Sequence, residues 1–221
     1  MNHDLENDGF SVVRDILPAD VRHELVSTLE PVSGAGRRGL LMVPAVAKLA
    51  RSEKILSLVR PHLPEEPVAV RAIYFDKTAD ANWLVTWHQD LTLAIRERLE
   101  VSGFGPWSVK EGVPHVQPPV KLLERMLTVR LHLDDADEDS GALQVLPGSH
   151  RNGRLPAADI SAFRQRVPEV ICNVAAGDAM LMRPLLLHSS SRSKLPRHRR
   201  VLHIEFAAFA LPAGLQWHEA N

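Results

Sequence analysis

With 221 residues and a formal net charge of −1, the chain is long enough for one well-buried domain and offers no global attraction for nucleic acid or an anionic membrane. Its single cysteine, Cys172, excludes an intramolecular disulfide and leaves a reducing compartment open. The polar, acidic start from Met1 to Asp8 lacks the parts of a signal peptide, and no apolar run approaches the ~18–20 residues of a membrane span, so a soluble, cytoplasmic, single-domain protein over 1–221 is expected.

In chain order, Gly9 to Val13 reads as a short strand, and Leu17-Pro18-Ala19-Asp20 opens a helix to about Leu29, with the proline early, where its missing N–H costs nothing. Residues 31–38 read as a Gly- and Ser-containing turn region. Helical segments follow at 45–51 and 53–61, where Ile55, Leu56 and Val59 form an apolar face. Val68 to Phe75 is a β-branched, apolar strand, and the run Trp83-Leu84-Val85-Thr86 is a second. Residues 101–119 carry three glycines, four prolines and the aromatics Phe104 and Trp107, and are expected to form a long lid or binding loop. A helical turn at 121–126 precedes the strand Leu127 to Leu133, an acidic turn from Asp134 to Gly141 and the strand Ala142 to Leu146. Strands at 170–174 and 179–182 are joined by Ala175-Ala176-Gly177-Asp178, and the last strand runs from Arg199 to Phe209. Helices first, then many short strands without βαβ alternation, predict a mainly β (α+β) double-sheet fold with appended helices.

The stretch Trp87-His88-Gln89-Asp90 looks like a place to hold a metal. On a strand His88 and Asp90 share a face while Gln89 points away, which sets an imidazole nitrogen beside a carboxylate oxygen. These are two ligands of a 2-His-1-carboxylate facial triad for Fe(II), and His188 is the candidate for the third. A second H-x-D, His132-Leu133-Asp134, competes for the role and is closer to His188 in sequence, although Asp134 opens an acidic turn. His150 reads as a turn-capping residue and His203 as a core histidine, while His3, His23, His62, His198 and His218 read as surface residues. The acidic run Asp134 to Asp139 lacks the glycine and terminal glutamate of an EF-hand, and the basic cluster between Arg192 and Arg200 lacks a basic chain behind it.

The ordered set His88-Gln89-Asp90, Arg130 to Asp135, Gly141 to Pro147-Gly148-Ser149-His150, Gly177-Asp178, His188 and Arg199 eleven positions beyond it resembles the phytanoyl-CoA dioxygenase family of Fe(II)/2-oxoglutarate oxygenases, from Gly9 to about Phe209. The resemblance implies a double-stranded β-helix (jelly-roll) core with the N-terminal helices 17–61 packed on it. It implies Fe(II) at His88, Asp90 and His188, with 2-oxoglutarate and O₂ as co-substrates. It also implies that Arg199, helped by Ser190, pairs with the far carboxylate of 2-oxoglutarate, a match of a planar guanidinium fork to a carboxylate. Arg200, on the opposite face of the same strand, is the alternative. The carboxylate at Asp90 favours hydroxylation over halogenation, because halogenating members of the family carry a small residue there. Trp107, Gln117 and Lys77 are expected to reach a small-molecule substrate, and the protein to be a monomer or homodimer. The rival expectations are a metal-binding jelly-roll sensor without oxygenase activity and an O₂-independent isomerase or hydrolase on the same scaffold.

Overall fold

The computed structural model describes residues 3–32, 34 and 36–220. Met1, Asn2, Ser33, Ala35 and Asn221 lie outside it, so the turn region expected at 31–38 is described only in part. A short helix α1 (Leu5–Asp8) and strand β1 (Phe10–Val13) precede α2 (Ala19–Leu29), strand β2 (Gly36–Arg37), α3 (Pro44–Ala50) and α4 (Glu53–Val59). The long strand β3 (Val68–Lys77) is followed by β4 (Val85–His88), β5 (Leu93–Ala94), β6 (Trp107–Lys110) and β7 (Val113–Val116). The helical turn α5 (Val120–Leu123) leads to β8 (Met126–His132), β9 (Leu143–Val145) and helix α6 (Ala157–Arg166). Strands β10 (Val170–Ile171), β11 (Ala179–Met182), β12 (His188–Ser190) and β13 (Arg199–Ala207) follow.

The strands form a jelly roll. A major sheet runs β1-β11-β8-β13-β3-β2 and a minor sheet runs β10-β9-β12-β4, every pairing antiparallel. Phe10, Met180 and Met182 of the major sheet pack against Leu143 and Val145 of the minor one and close one end of the space between them. The period-2 alternation of strand side chains gives the major sheet two unlike faces. Leu127, Val129 and Leu131, with Leu202, Ile204, Phe206, Ala72 and Tyr74, point outward and are covered by Leu25, Leu29, Val46, Ile55 and Val59 of the helices. Burying each of these large side chains contributes ~1.5–3 kcal/mol, so this layer is the main hydrophobic core. The opposite face carries Arg71, Lys77, Arg130, His132, Arg199, His203 and Glu205, all buried. That is an unusual load for a sheet interior, because a buried charge is costly unless it is paired.

Three elements differ from the sequence expectation. Residues 101–119 are not a structureless loop: β6 and β7 form a hairpin that joins β5 in a small third sheet. Its two-residue turn has positive φ at Glu111 (50°) and Gly112 (80°), as the tight hairpin turn requires, and the flanking prolines masked this alternation in the sequence. The strands at 170–171 and 179–182 are not partners; they belong to the minor and major sheets respectively. Helix α6, introduced by Pro156, was not expected, because none of its residues is buried and it shows no apolar face.

Candidate active site

Among the described residues, two groups of three potential metal ligands converge to within 4.8 Å: His88, Asp90 and His188, and Glu30, Asp76 and His198. In the second group the donors are bonded already. His198 Nδ1 lies 3.0 and 2.9 Å from the two Asp76 carboxylate oxygens, and Arg200 Nη1 donates to Glu30 Oε1 (3.0 Å). The first group is different. His88 and His188 are directly paired residues of β4 and β12, which brings their ring centroids to 4.2 Å. Each ring uses Nδ1 on the carbonyl two residues earlier, Thr86 O and Leu186 O, both at 2.9 Å. That hydrogen bond fixes the proton on Nδ1 and leaves the Nε2 lone pair as the free ligand atom.

Asp90 stands just past the end of β4, its amide held by Pro184 O (2.9 Å). Gln89 is turned the other way and clamps the segment, donating to Gly153 O (2.8 Å) and Leu185 O (2.7 Å) and accepting from Leu155 N (2.8 Å). Asp90 Oδ1 and Oδ2 lie 3.9 and 3.8 Å from the Nε2 atoms of His88 and His188, and Oδ2 is buried without a hydrogen-bond partner. Burial by itself would raise the Asp90 carboxyl. Its electrostatic interactions with His188, His203, His88 and Arg71 outweigh this and hold the group well below the usual range. Burial moves His188 the other way, down to about 4, which keeps its imidazole neutral and able to ligate. An orphaned carboxylate oxygen facing two free imidazole lone pairs fits a divalent transition metal.

A cavity of about 150 Å³ opens beside these three residues, its apolar wall formed by Phe75, Trp83, Val85 and Leu143 and its polar wall by Arg130, Ser190, Arg199 and His203. Arg199 is 3 % exposed, and its Nε and Nη1 have no partner; the Nε of Arg130 has none either. Burial lowers both guanidinium groups to about 10, assisted at Arg199 by the charge of Arg130. Lys77, directly opposite Arg199 in the β3–β13 ladder, is fully buried; its Nζ donates to Ser190 Oγ (2.8 Å) and to the Ser191 carbonyl. Burial and the nearby charges of Arg199 and Arg130 lower it to about 7. Three buried cations converge here, and among the described residues no carboxylate is bonded to any of them.

The second H-x-D does not assemble in the same way. His132 lies inside, both ring nitrogens unpartnered, and burial with the charges of Arg130 and Arg199 pushes it far down. Asp134 has left the strand and accepts twice from the Arg200 guanidinium, at 2.7 Å each. Arg200 is thereby turned away from the cavity that Arg199 lines. The acidic turn and basic loop neutralise each other through Arg197–Asp137 (2.6 Å) and Lys194–Asp139 (3.0 Å) as well. Trp107 and Gln117 do not line the cavity. Trp107 packs into the cluster around Leu93 and Val116, and Gln117 accepts from Arg154 (2.7 Å), so both hold the hairpin down. His203 is more than a core histidine: it lines the cavity, with Nδ1 2.9 Å from Arg130 Nη1 and Nε2 3.2 Å from Glu205 Oε1. The signal for Arg130 and His203 was the polar phase of two otherwise apolar strands.

Fold and site together define a jelly-roll protein with one candidate metal centre opening onto a cationic cavity. Solved structures with the same fold include AviO1 from Streptomyces viridochromogenes Tue57, 22% identical over 95% of this chain and 94% of that one with a TM-score of 0.66. Another is SnoN, a non-heme alpha ketoglutarate dependent epimerase from nogalamycin biosynthesis (19% identity, 92% and 77% coverage, TM-score 0.68). A third is HygX from Streptomyces hygroscopicus with nickel and 2-oxoglutarate bound (16% identity, 92% and 83% coverage, TM-score 0.65). No curated protein sequence matches significantly. The family model for phytanoyl-CoA dioxygenase (PhyH) matches residues 36–201, well over half of the sequence, and the chain belongs to this family. No helix of the described residues is long and apolar enough to cross a membrane.

Proposed function

We propose that the protein is an Fe(II)- and 2-oxoglutarate-dependent oxygenase that hydroxylates a small organic substrate, with release of succinate and CO₂. The observation that carries this reading is the cluster of unpaired buried cations, Arg199, Lys77 and Arg130, beside a free His-Asp-His donor set. Buried charges of one sign are costly and call for an anion of opposite charge. In this reading His88, Asp90 and His188 hold the metal. Arg199 grips the distal carboxylate of 2-oxoglutarate through its unpartnered Nε and Nη1, with the Lys77 ammonium beside it as a further donor; Ser190, whose hydroxyl donates to Gly141 O, accepts from Lys77 and positions it. Lys77 is thus assigned to the co-substrate and not to the substrate. Arg130, fixed by His203, offers its free Nε–H to the same compartment. The wall of Phe75, Trp83, Val85 and Leu143 excludes water from the reacting groups. Iron bound at this site supplies O₂ activation coupled to the oxidative decarboxylation of 2-oxoglutarate. The carboxylate at Asp90 supports hydroxylation over halogenation. Membership of the family, and fold neighbours whose names carry 2-oxoglutarate, give the reading further support.

The test is anaerobic titration of wild type, His88→Ala, His132→Ala and Arg199→Met with Fe(II) and 2-oxoglutarate, followed by visible absorption. A weak charge-transfer band kept in His132→Ala and lost in His88→Ala and Arg199→Met is expected. A band lost only in His132→Ala moves the metal to the second H-x-D. Bound iron with no band in wild type overturns the oxygenase reading in favour of a metal-binding module. Substrate turnover that continues without O₂ overturns it in favour of an isomerase or hydrolase.

A further inference from the structure

The interior of the jelly roll does not end at the metal centre. Arg199 and Lys77 face each other at one end of the β3–β13 ladder, and Glu205 and Arg71 face each other further along it. Six residue steps along the strand lead from Arg71 to Lys77, about 20 Å at ~3.3 Å per residue. Past Arg71 lies a recess of about 200 Å³, and the β6–β7 hairpin supplies Lys110 and His115 to its wall. Glu205, the partner of Arg71, also lies 3.2 Å from His203, which lines the metal-site cavity on the same face of β13, so the wall of the recess continues that of the metal centre.

The charges around the recess do not cancel group by group. Arg38 is paired with Glu111, and Arg71 with Glu205. Glu219 accepts hydrogen bonds from the amides of Leu41 and Ala72, both at 3.1 Å, and is not bonded to Lys110; burial pushes its carboxyl up. Lys110 is an exposed side chain whose one partner among the described residues is the Thr92 hydroxyl, at 3.3 Å; its partial desolvation and the charges of Arg71 and Arg38 lower its ammonium. Two nearly fully buried groups in the wall also have unmet bonding capacity. Arg71, 7 % exposed, keeps its Nε–H unpartnered, and His115, 1 % exposed, leaves Nε2 free. His115 Nδ1 is bonded to Val113 O (2.9 Å), and burial lowers the ring's pKa, so Nε2 is an acceptor waiting for a donor. Orphaned buried groups of this kind are rare without a partner or ligand.

Building on the oxygenase reading, we propose that this recess seats the polar end of the primary substrate, a carboxylate carrying an adjacent N–H or O–H donor, as in an amino or hydroxy acid. Lys110 is its counter-ion, Arg71 Nε–H a second donor to the carboxylate, and His115 Nε2 the acceptor for the neighbouring N–H or O–H. One free ammonium matches a monoanion and undercompensates a phosphate monoester.

Calorimetric titration of the metal-free full chain with 2-aminohexanoate, 2-hydroxyhexanoate, hexanoate and hexanamide tests this independently of iron chemistry. A substituted acid is expected to bind about tenfold tighter than hexanoate, a difference of ~1.4 kcal/mol, with hexanamide inert. Lys110→Met weakens the acids at least about tenfold and Lys110→Arg restores them. His115→Phe removes the advantage of the substituted acid and leaves hexanoate unchanged. Saturating 2-oxoglutarate, which occupies the cations at the other end of the interior, leaves every value as it was. The stronger of the amino and hydroxy acids names the substrate class. Acid binding unmoved by Lys110→Met, abolished by saturating 2-oxoglutarate, or absent altogether overturns the proposal. If the acids bind as expected while the Fe(II)/2-oxoglutarate band is missing, the oxygenase reading falls and the recess stands. A normal band with no acid binding has the opposite meaning.

Discussion

Lys77 carries a primary ammonium group buried among other cations: Arg199 comes from β13, Arg130 and the neutral His132 from β8, and only the Ser190 hydroxyl and Ser191 carbonyl accept from it. Its folded-state pKa of about 7 lies below the unfolded lysine value of 10.5. The sign follows directly. Lys77 opposes folding below pH 7, and the penalty fades as pH rises from 7 toward 10.5. An anion bound beside it restores the charged form, so binding above pH 7 takes up a proton. The affinity for 2-oxoglutarate is therefore expected to fall as pH rises from 6.5 to 8.5, by at most about tenfold per unit. Calorimetry on wild type and Lys77→Met checks this, since the variant should bind more weakly and lose the component of the slope that Lys77 contributes. Equal slopes in both proteins would remove Lys77 from the co-substrate site.

At the scale of elements, the candidate site depends on strand register. Pairing His188 with His88 sets the two imidazoles side by side, their centroids 4.2 Å apart and their planes tilted by 51°, and the irregularity between His188 and Ser190 then sets Ser190 against Val85. A one-residue slip would turn all of these side chains to the opposite face. Gly141 guards the register from the side of the acidic turn. Its φ is +71°, its carbonyl accepts the Ser190 hydroxyl (2.8 Å), and a Cβ there would run into the Ser191 carbonyl and lie 3.3 Å from Lys77 Nζ. Gly141→Ala is expected to cost about 1–3 kcal/mol, measurable by denaturant unfolding, and to weaken 2-oxoglutarate more than metal. The β6–β7 hairpin contributes in another way. It brings Lys110 and His115 to the recess while Trp107 and Gln117 pin it to the jelly roll.

Over the whole molecule, the helices cover one face of the major sheet with a conventional apolar core, and stability comes from that layer. The other face is kept charged at a cost to the fold. Replacing an unpaired buried charge by an apolar group of similar length should stabilise the empty protein, as happens with buried ion pairs. Arg199→Met is therefore expected to raise the unfolding free energy without ligand by about 1–3 kcal/mol and to abolish the further stabilisation that 2-oxoglutarate gives the wild type. Thermal unfolding with and without 2-oxoglutarate reads both effects, and a variant destabilised in its absence would contradict this account of Arg199.

Much of this was legible in the residues themselves. The alternation Met126-Leu127-Thr128-Val129-Arg130-Leu131-His132 marks a strand with one apolar and one polar face, and the spacing His88-Gln89-Asp90 sets two ligand types side by side. Periodicity is local, so it is written in the chain. What two strands do to each other is not. Whether His88 or His132 meets His188, whether Arg199 or Arg200 looks inward, and whether Lys110 and His115 share a wall with Arg71 all depend on long-range pairing and on which sheet covers which face. In the sequence His132-Leu133-Asp134 and His88-Gln89-Asp90 share one spacing, and only the acidic turn after Asp134 and the family resemblance favour the latter. The fold separates them because Arg200 reaches across to Asp134, whereas Pro184 and Gln89 hold Asp90 against the two imidazoles.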